Sequence, residues 1–363
     1  MSKFNLLSLL LLGVSGLTAC AISSTPHQTS SKTAQKYWPD FPVMPRYVHE
    51  ASLRLITDIA VPDRNTRLKN LLAGAPPPEF AFLRPYDIAA RFGRIYISDP
   101  DASAISVYDV PRRRFYRLGM RLAGKLVKPM GVALDAQSNL YVADTGSASI
   151  QVFDFLGMHR ITIGQNDQLQ LPLSVAVDAQ GENIYVVDNG GISTNLHRIL
   201  QYDSTGNLLK IIGQRGDKPG EFNLPTDAVV GSDGTLYVLD SGNFRVQAFD
   251  TEGNFMSMWG SAGSGLGQLA RPRSIAIDQQ DNLYITDMFF GNFQVFNRQG
   301  ALLLPLGKID PADQPGHFRL ISGITVDETQ RVYVVDQLFK KVEVFRHLKQ
   351  QESEQLLKQY KQS

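Results

Sequence analysis

The 363-residue sequence is poor in cysteine, with Cys20 as its single example. One cysteine cannot form a disulfide within the chain, so the fold must be stabilised by packing. The sequence also lacks an excess of either charge, because 36 basic residues face 35 acidic ones and the formal net charge is +1. This balance gives no electrostatic reason to expect a nucleic-acid surface. We therefore expect no disulfides and no nucleic-acid partner.

Residues 6–14 form an apolar run behind Lys3. The run is too short to span a bilayer, and with the small residues after it the layout is typical of a secretory signal. Its end, "LTAC", resembles the lipobox of bacterial lipoproteins. That resemblance implies cleavage after Ala19 and acyl chains on Cys20 that hold the chain in a membrane. Because Ala21 follows the cysteine, the resemblance also favours the outer membrane if the host has one.

Four segments follow from composition. We predict a lipoprotein signal peptide over residues 1–19 and a lipidated flexible tether with a proline-rich lead-in over residues 20–50, since "AISSTPHQTSSKTAQK" has almost no large apolar groups. A folded body is predicted over residues 51–346, followed by a polar tail over residues 347–363 that can form a helix. The expected location is the bacterial cell envelope, lipid-anchored and facing the periplasm or the exterior.

One phrase is written six times in the folded body, as in "LYVADTGSASIQVF". Each copy has a tyrosine three residues before an aspartate, and the copies lie 44 to 52 residues apart. The aspartates are Asp99, Asp144, Asp188, Asp240, Asp287 and Asp336. We expect the tyrosines to pack between repeats and each aspartate to accept backbone N–H bonds in the turn that follows it.

The first five copies each contain four short runs, and the sixth contains three, in which Val and Ile alternate with other residues between turn sequences, a pattern typical of antiparallel strands. The period, without a helical pattern between copies, favours a β-propeller over a solenoid, because each small sheet must bury both faces against its neighbours. We predict an all-β fold, a six-bladed β-propeller. The sixth copy ends after its third strand, so we predict that the N-terminal residues 53–61, "LRLITDIAV", supply the missing strand and close the last blade.

The fourth copy, "PGEFNLPTDAVV" followed by "LYVLDSGNFRVQAFD", resembles the NHL repeat. Asn243 and Arg245 match the N-x-R part of that pattern, whereas the other copies depart from it at one or both positions. With the lipobox, the chain resembles bacterial NHL-type six-bladed propeller lipoproteins. The resemblance implies the propeller fold and no defined reaction.

The candidate site residues lie at the start of the first strand of each copy, which is expected to be the inner strand beside the propeller axis. The residues two places after the repeated proline position are Asp87, Gly131, Ser174, Asp227, Ser274 and Gly323. Asp87 and Asp227 fall on opposite blades at the channel mouth, with Arg273 nearby, and we expect solvated rim charges there. An axial divalent cation is the alternative, but the two carboxylates are expected to be too far apart to share one without water.

No metal or cofactor is predicted. NHL propellers that act as peptidyl-hydroxyglycine lyases carry zinc-binding histidines near the channel mouth, and three imidazoles converging on a metal would need equivalent positions in several blades. The histidines from residue 49 onward instead lie at scattered repeat positions. They are His49, His159, His197, His317 and His347.

The loops after the aspartate are rich in large apolar residues in copies four to six. We predict that these residues form a partner-binding surface, the alternative being that several turn inward and cap the core. They are Phe244, Met288, Phe289, Phe290, Leu338 and Phe339.

These observations favour a membrane-anchored binding or scaffold protein without catalysis of its own, which holds a protein or peptide partner of the cell envelope on one rim of the propeller. The alternative is a lyase or lactonase-like enzyme that acts on a small molecule in the axial channel through Asp87, Asp227 and Arg273. RNA binding, known for some eukaryotic NHL proteins, fits poorly with a secretory signal and a near-neutral charge.

Overall fold

The computed structural model describes residues 35–362, apart from residues 63, 75, 76, 78, 122 and 166–168. Cys20, the predicted signal peptide and the first part of the predicted tether lie outside the described residues. Among the described residues, no helix is long and apolar enough to cross a bilayer.

The described chain begins with β1 (Tyr37–Trp38), β2 (Tyr47–Leu53), a 3-10 turn (Ile56–Asp58) and helix α1 (Arg64–Ala73). Blade 1 contains β3 (Ile88–Arg91), β4 (Arg94–Asp99), β5 (Ala104–Asp109) and β6 (Arg114–Leu118). Blade 2 contains β7 (Pro129–Leu134), β8 (Leu140–Asp144), β9 (Ser149–Phe153) and β10 (His159–Ile163). Blade 3 contains β11 (Pro172–Val177), β12 (Asn183–Asp188), β13 (Arg198–Asp203) and β14 (Leu208–Ile212).

Blade 4 contains β15 (Asp227–Val230), β16 (Leu236–Asp240), a 3-10 turn (Ser241–Asn243), β17 (Arg245–Phe249) and β18 (Phe255–Trp259). Blade 5 contains β19 (Pro272–Ile277), β20 (Leu283–Asp287), β21 (Asn292–Phe296) and β22 (Leu302–Leu306). A short parallel pair, β23 (Lys308–Ile309) and β24 (His317–Phe318), precedes blade 6, which contains β25 (Ile321–Val326), β26 (Arg331–Asp336) and β27 (Lys341–His347). Helix α2 (Gln350–Gln362) ends the described chain.

The sheets confirm the predicted all-β, six-bladed propeller. Blades 1 to 5 are four-stranded antiparallel sheets in sequence order, and the sixth sheet has the order β1, β2, β27, β26, β25. The first strand of each blade is its inner strand. The loops before the inner strands and the loops after the repeated aspartates form one end of the propeller, here called the loop rim. The hairpins between the first and second strands form the opposite end, the hairpin rim.

Apolar clusters between adjacent blades hold the ring together, because each blade hides its faces only against the next. Tyr141 of blade 2, for example, packs in one buried cluster with Val175 and Ile184 of blade 3. The ring also joins its ends, since Tyr333 of blade 6 is buried in a cluster with Ile88 of blade 1. The predicted packing role of the repeated tyrosines is confirmed.

The repeated aspartates are fully buried. The carboxylate of Asp144 accepts hydrogen bonds from the backbone N–H groups of Val127 (2.9 Å) and Lys128 (2.6 Å), which precede the inner strand of its own blade. It also accepts one from Gly146 N (3.1 Å), in the turn that follows it. The predicted bond to the following turn is therefore confirmed for Asp144, and Asp99, Asp287 and Asp336 accept one as well. The bonds to the preceding loop were not predicted. Through them, the loop before the inner strand and the turn after the second strand are both hydrogen-bonded to the same buried carboxylate.

The outer strand of blade 6 is β2, which runs antiparallel to β27 from Tyr47 opposite His347 to Leu53 opposite Val342. The prediction that residues 53–61 form this strand is wrong. The chain instead turns at the 3-10 helix there, because the Asp58 carboxylate accepts hydrogen bonds from the backbone N–H groups of Arg54 (2.6 Å) and Leu55 (2.8 Å). The propeller sheet accordingly begins at Tyr47, before the predicted boundary at residue 51.

Buried charges join β2 to β27. The Glu343 side chain is inaccessible to solvent and accepts hydrogen bonds from His49 Nε2 (2.6 Å), Ser52 Oγ (2.9 Å) and Lys341 Nζ. Burial raises the pKa of Glu343, but the hydrogen bond from His49 and the charge of Lys341 outweigh it and hold the pKa below its ordinary value. Lys341 Nζ also lies 3.0 Å from an Asp313 carboxylate oxygen.

The chain after β27 packs against the lead-in segment. The ring of Tyr360, in α2, stacks on Phe41 with centroids 4.6 Å apart. The Arg346 guanidinium forms two hydrogen bonds to the Glu352 carboxylate, at 2.9 and 2.8 Å. Residues 36–50, predicted as lead-in, thus contact the folded body.

Removal of β2 should open the ring. A chain starting at residue 36 should unfold cooperatively, whereas one starting at residue 54 should lose cooperative unfolding, because its blade 6 lacks an outer strand and leaves Glu343 without His49 and Ser52. Differential scanning calorimetry of both truncations measures this. Equal unfolding transitions would refute closure by β2.

Replacement of Glu343 by Gln should destabilise the fold by about 3 kcal/mol at neutral pH, because it breaks a buried ion pair. The folded pKa of Glu343 is lowered, so its stabilising contribution is present above the ordinary glutamate pKa and is lost as pH falls through the folded value. Urea unfolding should therefore show the difference shrinking in acid, with the exposed Glu354→Gln as the control. A difference that does not change with pH would contradict this assignment.

Candidate functional site

The inner strands approach one another most closely at the loop rim. A Cβ atom added to Gly131 would lie 2.5 Å from the Cα of Ser174, and one added to Gly323 would lie 2.5 Å from the Cα of Asp87. The small residues at these two positions therefore allow a constriction. The residues at the predicted channel mouth line a void of about 10 Å³ there, at the lower limit of what holds one water molecule.

Asp227 is built into this constriction. Its carboxylate accepts hydrogen bonds from the hydroxyls of Ser174 and Ser274, both at 2.6 Å, and from the backbone N–H groups of Ala228 (2.9 Å) and Ile275 (2.8 Å). Asp87 and Asp227 are each only 7% exposed. The expectation that they are solvated rim charges is wrong, because the neighbouring inner strands close over them.

Asp87 accepts fewer hydrogen bonds than Asp227. Its Oδ2 accepts one from Val132 N (2.9 Å), and the backbone N–H of Ile88 supplies another. Burial raises the pKa of Asp87 well above its ordinary value, and the charge of Asp227 raises it further. Burial also raises the pKa of Asp227, against the four bonds that it accepts. We therefore take Asp87 as the protonated member of the pair.

Arg273 and Tyr86 lie on the outer side of the constriction. Arg273 Nη2 donates a hydrogen bond to the Tyr86 hydroxyl, and the guanidinium carbon lies 4.6 Å from the centroid of the Tyr86 ring. Burial raises the pKa of Tyr86 to about 12, although the charge of Arg273 opposes the shift. Since Tyr86 belongs to blade 1 and Arg273 to blade 5, this contact spans the mouth past blade 6.

A channel continues inward from the constriction. Its cavity of about 270 Å³ is lined by the inner strands and shares Ala90, Arg91 and Val326 with a second cavity of about 590 Å³ at the hairpin rim. Among the described residues, no group of three or more His, Cys, Asp or Glu side chains is placed to hold a metal ion. Asp87 and Asp227 thus stand at one end of the channel, with their oxygens engaged by the surrounding strands.

The structure divides the six apolar candidates on the loop rim. Phe289 and Leu338 are 58% and 57% exposed. Phe244 and Met288 are partly buried and pack against the clusters between blades. Phe290 is partly buried, with its ring centroid 5.3 Å from that of Phe289. The sixth candidate is also partly buried: Phe339, whose ring centroid lies 5.2 Å from Lys341 Nζ.

Phe289 and Leu338 occupy equivalent positions, each two residues after a repeated aspartate. The backbone N–H of Phe289 donates to Asp287 and that of Leu338 donates to Asp336, both at 2.9 Å. Both residues were predicted from the sequence, but the hydrogen bond from each backbone N–H to the repeated aspartate was not. Sequence reasoning also missed Tyr86 and the serines at Asp227, although the order Ser174, Asp227, Ser274 over three successive blades was readable in the ring positions.

The N-x-R part of the repeat pattern has a clear structural role in blade 4. Asn243 Nδ2 and Arg245 Nε donate to the same Asp240 oxygen, at 2.8 and 2.7 Å. The rest of the Arg245 guanidinium donates to backbone carbonyls of the loop before β15, at Asp217, Lys218 and Glu221. In blade 3 the corresponding arginine is Arg198, which follows its aspartate by ten residues instead of five, and its Nε lies 3.1 Å from the Asp188 carboxylate. These groups stiffen the loop rim.

Comparison with known proteins agrees with this geometry. The NHL repeat family model matches residues 222–249, which lie in blade 4. The chain is 31% identical to the protein brain tumor of Drosophila melanogaster over 96 residues, which are 25% of this chain and 9% of that protein. It is 32% identical to human NHL repeat-containing protein 3 over 80 residues, which are 22% of each chain. The matches thus span under a quarter of these relatives.

Solved structures with a similar fold include a catalytically inactive virginiamycin B lyase from Staphylococcus aureus with quinupristin. It has a TM-score of 0.52 and 11% identity, over 73% of this chain and 80% of that one. A gluconolactonase from Xanthomonas campestris gives a TM-score of 0.55 at 17% identity, over 83% and 98% of the two chains. Such low identity shows the fold alone. The protein is a six-bladed β-propeller that carries an NHL repeat.

Asp87→Asn should gain stability over the wild type as pH rises. The folded pKa of Asp87 is raised, so its stabilising contribution is complete below the ordinary aspartate pKa and is lost as pH rises through the folded value. Asparagine remains neutral and avoids that loss. Urea unfolding at about pH 4 and about pH 8 should show a relative gain of about 1 kcal/mol or more, with the exposed Asp101→Asn as the control. An equal difference at both pH values would show that Asp87 is ionised in the fold.

Proposed function

We propose that the protein is a binding or scaffold protein that holds a protein or peptide partner on its loop rim. It is anchored in the cell envelope through lipid on Cys20 and needs no cofactor. The observation that carries this proposal is the pair of exposed apolar side chains, Phe289 and Leu338, on adjacent blades.

The equivalence of Phe289 and Leu338 supports a shared role. The backbone N–H of each residue is bonded to a buried aspartate, so the loop backbone is ordered before a partner binds, and little backbone entropy is lost on binding. In the first four blades the equivalent positions hold Asp101, Gly146, Gly190 and Gly242. The large apolar side chains at this position are thus confined to one sector of the rim, as expected of a docking surface.

A second candidate function is that of an enzyme, lyase or lactonase-like, acting on a small molecule in the axial channel. The cavity of about 270 Å³ beside Asp87 and Asp227 favours it. We rank it second because the oxygens of Asp227 are taken up by four hydrogen bonds within the protein. Arg273, the third residue of that hypothesis, lies across a void of about 10 Å³.

Replacement of Phe289 and Leu338 together by Ser should reduce capture of the envelope partner at least about tenfold, since buried apolar anchors dominate interface energies. Because both side chains are exposed, the melting temperature should stay within about 2 °C of the wild type. Quantitative affinity capture from envelope extracts measures the first effect, and calorimetry the second.

The matched control replaces two exposed apolar residues of the hairpin rim, Phe155 and Leu156, by Ser. That variant should capture the partner normally. The proposal fails if the control loses capture equally, or if the Phe289 and Leu338 variant retains it.

A further inference from the structure

We propose that the loop rim also contains an anion site centred on Arg273, which receives a carboxylate from an acidic segment of the partner. This inference rests on the proposed function and specifies the chemistry of the partner: an extended acidic peptide whose apolar side chains contact Phe289 and Leu338. Its support comes from the cations of the rim and from the state of Arg273.

Three blades place a cation directly before the repeated proline. These are Arg84 in blade 1, Lys128 in blade 2 and Arg271 in blade 5, all exposed, while the other three blades have leucine at this position. The backbone N–H groups of all three donate to the buried aspartate of their own blade, at 2.6 to 3.1 Å. The backbones of these three residues are therefore held at the mouth, in blades 1, 2 and 5, and Arg271 shares blade 5 with Phe289.

These cations are poorly neutralised. The structure gives the side chains of Lys128 and Arg271 no ion pair with any described carboxylate. Arg84 lies 3.8 Å from Asp101, but both side chains are more than half exposed, so water and salt screen that pair. The residues directly before and after the repeated proline position include four cations and no acid in the six blades. The residues at these two positions therefore carry only positive charge, which favours an anionic ligand.

Arg273 is the recessed member of this set. It is partly buried, stacks on Tyr86 and donates one hydrogen bond to the Tyr86 hydroxyl. It forms no ion pair with a described carboxylate, because Asp87 and Asp227 lie within the constriction and are bonded to serine and backbone groups. A guanidinium held flat with free N–H groups matches the two oxygens of a carboxylate.

The recessed position favours a peptide over a bilayer. Arg273 lines the constriction itself, so only a group that projects into the mouth can reach it. A side-chain or terminal carboxylate on an extended peptide can do so while neighbouring residues contact the outer cations. A lipid surface would meet Lys128 and Arg271 without engaging Arg273.

The test uses fluorescence anisotropy of labelled poly-L-glutamate with a chain comprising residues 36–363 at low ionic strength. The wild type should bind, with affinity that falls as salt is added. Arg273→Gln should weaken binding about tenfold through loss of a charge-assisted pair, and the double variant Lys128→Gln with Arg271→Gln should weaken it by a similar factor. Arg114→Gln, an exposed arginine near the hairpin rim, should bind within about twofold of the wild type.

The double variant keeps the test decisive if Arg273→Gln disturbs the contact with Tyr86, because Lys128 and Arg271 are both exposed and their side chains have no partner in the part of the chain that the structure describes. Absence of poly-L-glutamate binding, or equal binding by the wild type and the double variant, would overturn the inference. Binding to vesicles of phosphatidylglycerol and phosphatidylcholine without binding to poly-L-glutamate would also overturn it, in favour of a lipid surface.

The two proposals can fail separately. If poly-L-glutamate does not bind but partner capture still depends on Phe289 and Leu338, the anion site alone is refuted. If poly-L-glutamate binds through Arg273 but replacement of Phe289 and Leu338 does not change partner capture, the anion site is supported and the apolar docking surface is refuted.

Discussion

Much of the loop rim depends on one recurrent interaction, the buried carboxylate at the end of each second strand. Each of these groups accepts backbone N–H bonds from the loop that enters its blade, and several also accept them from the loop that leaves the second strand, as Asp144 does. A charge in such a place is stable only because its oxygens are satisfied. The same bonds fix the residues proposed to bind, since Phe289, Leu338, Lys128 and Arg271 all donate to these aspartates through their backbones.

The ring of blades supplies the second constraint. Each sheet is too small to bury its own apolar faces. The tyrosine on the second strand of each blade therefore packs in an apolar cluster with the next blade. Closing the ring requires β2 beside β27, and the buried pair of Lys341 and Glu343 makes that junction specific, because His49 and Ser52 complete the hydrogen bonds of Glu343. A rim on a closed ring keeps its shape, which suits a surface that binds without prior rearrangement.

The features shared by all six copies could be predicted from the sequence. The features that depend on contacts between blades could not. Six copies at a similar spacing were sufficient for the blade count, the tyrosine packing and the bond to the following turn that Asp99, Asp144, Asp287 and Asp336 accept. The closing strand was misplaced because "YVHEASL" carries the polar residues His49, Glu50 and Ser52. Their partners lie far along the chain: Glu343 bonds to His49 and Ser52, and Arg331 bonds to Glu50. Asp87 and Asp227 were expected in solvent because their burial is produced by inner strands of other blades. The partial burial of Phe244 and Met288 likewise depends on contacts between blades.

Buried carboxylates hold the surface loops of the loop rim in place. Hydrogen exchange of backbone amides, followed by NMR, tests this most directly at Lys128, Arg271, Phe289 and Leu338, whose N–H groups are assigned to Asp144, Asp287 and Asp336. These four amides should exchange as slowly as those of the central strands, although their residues lie in surface loops. Exchange at the rate of unprotected loop amides would contradict the account.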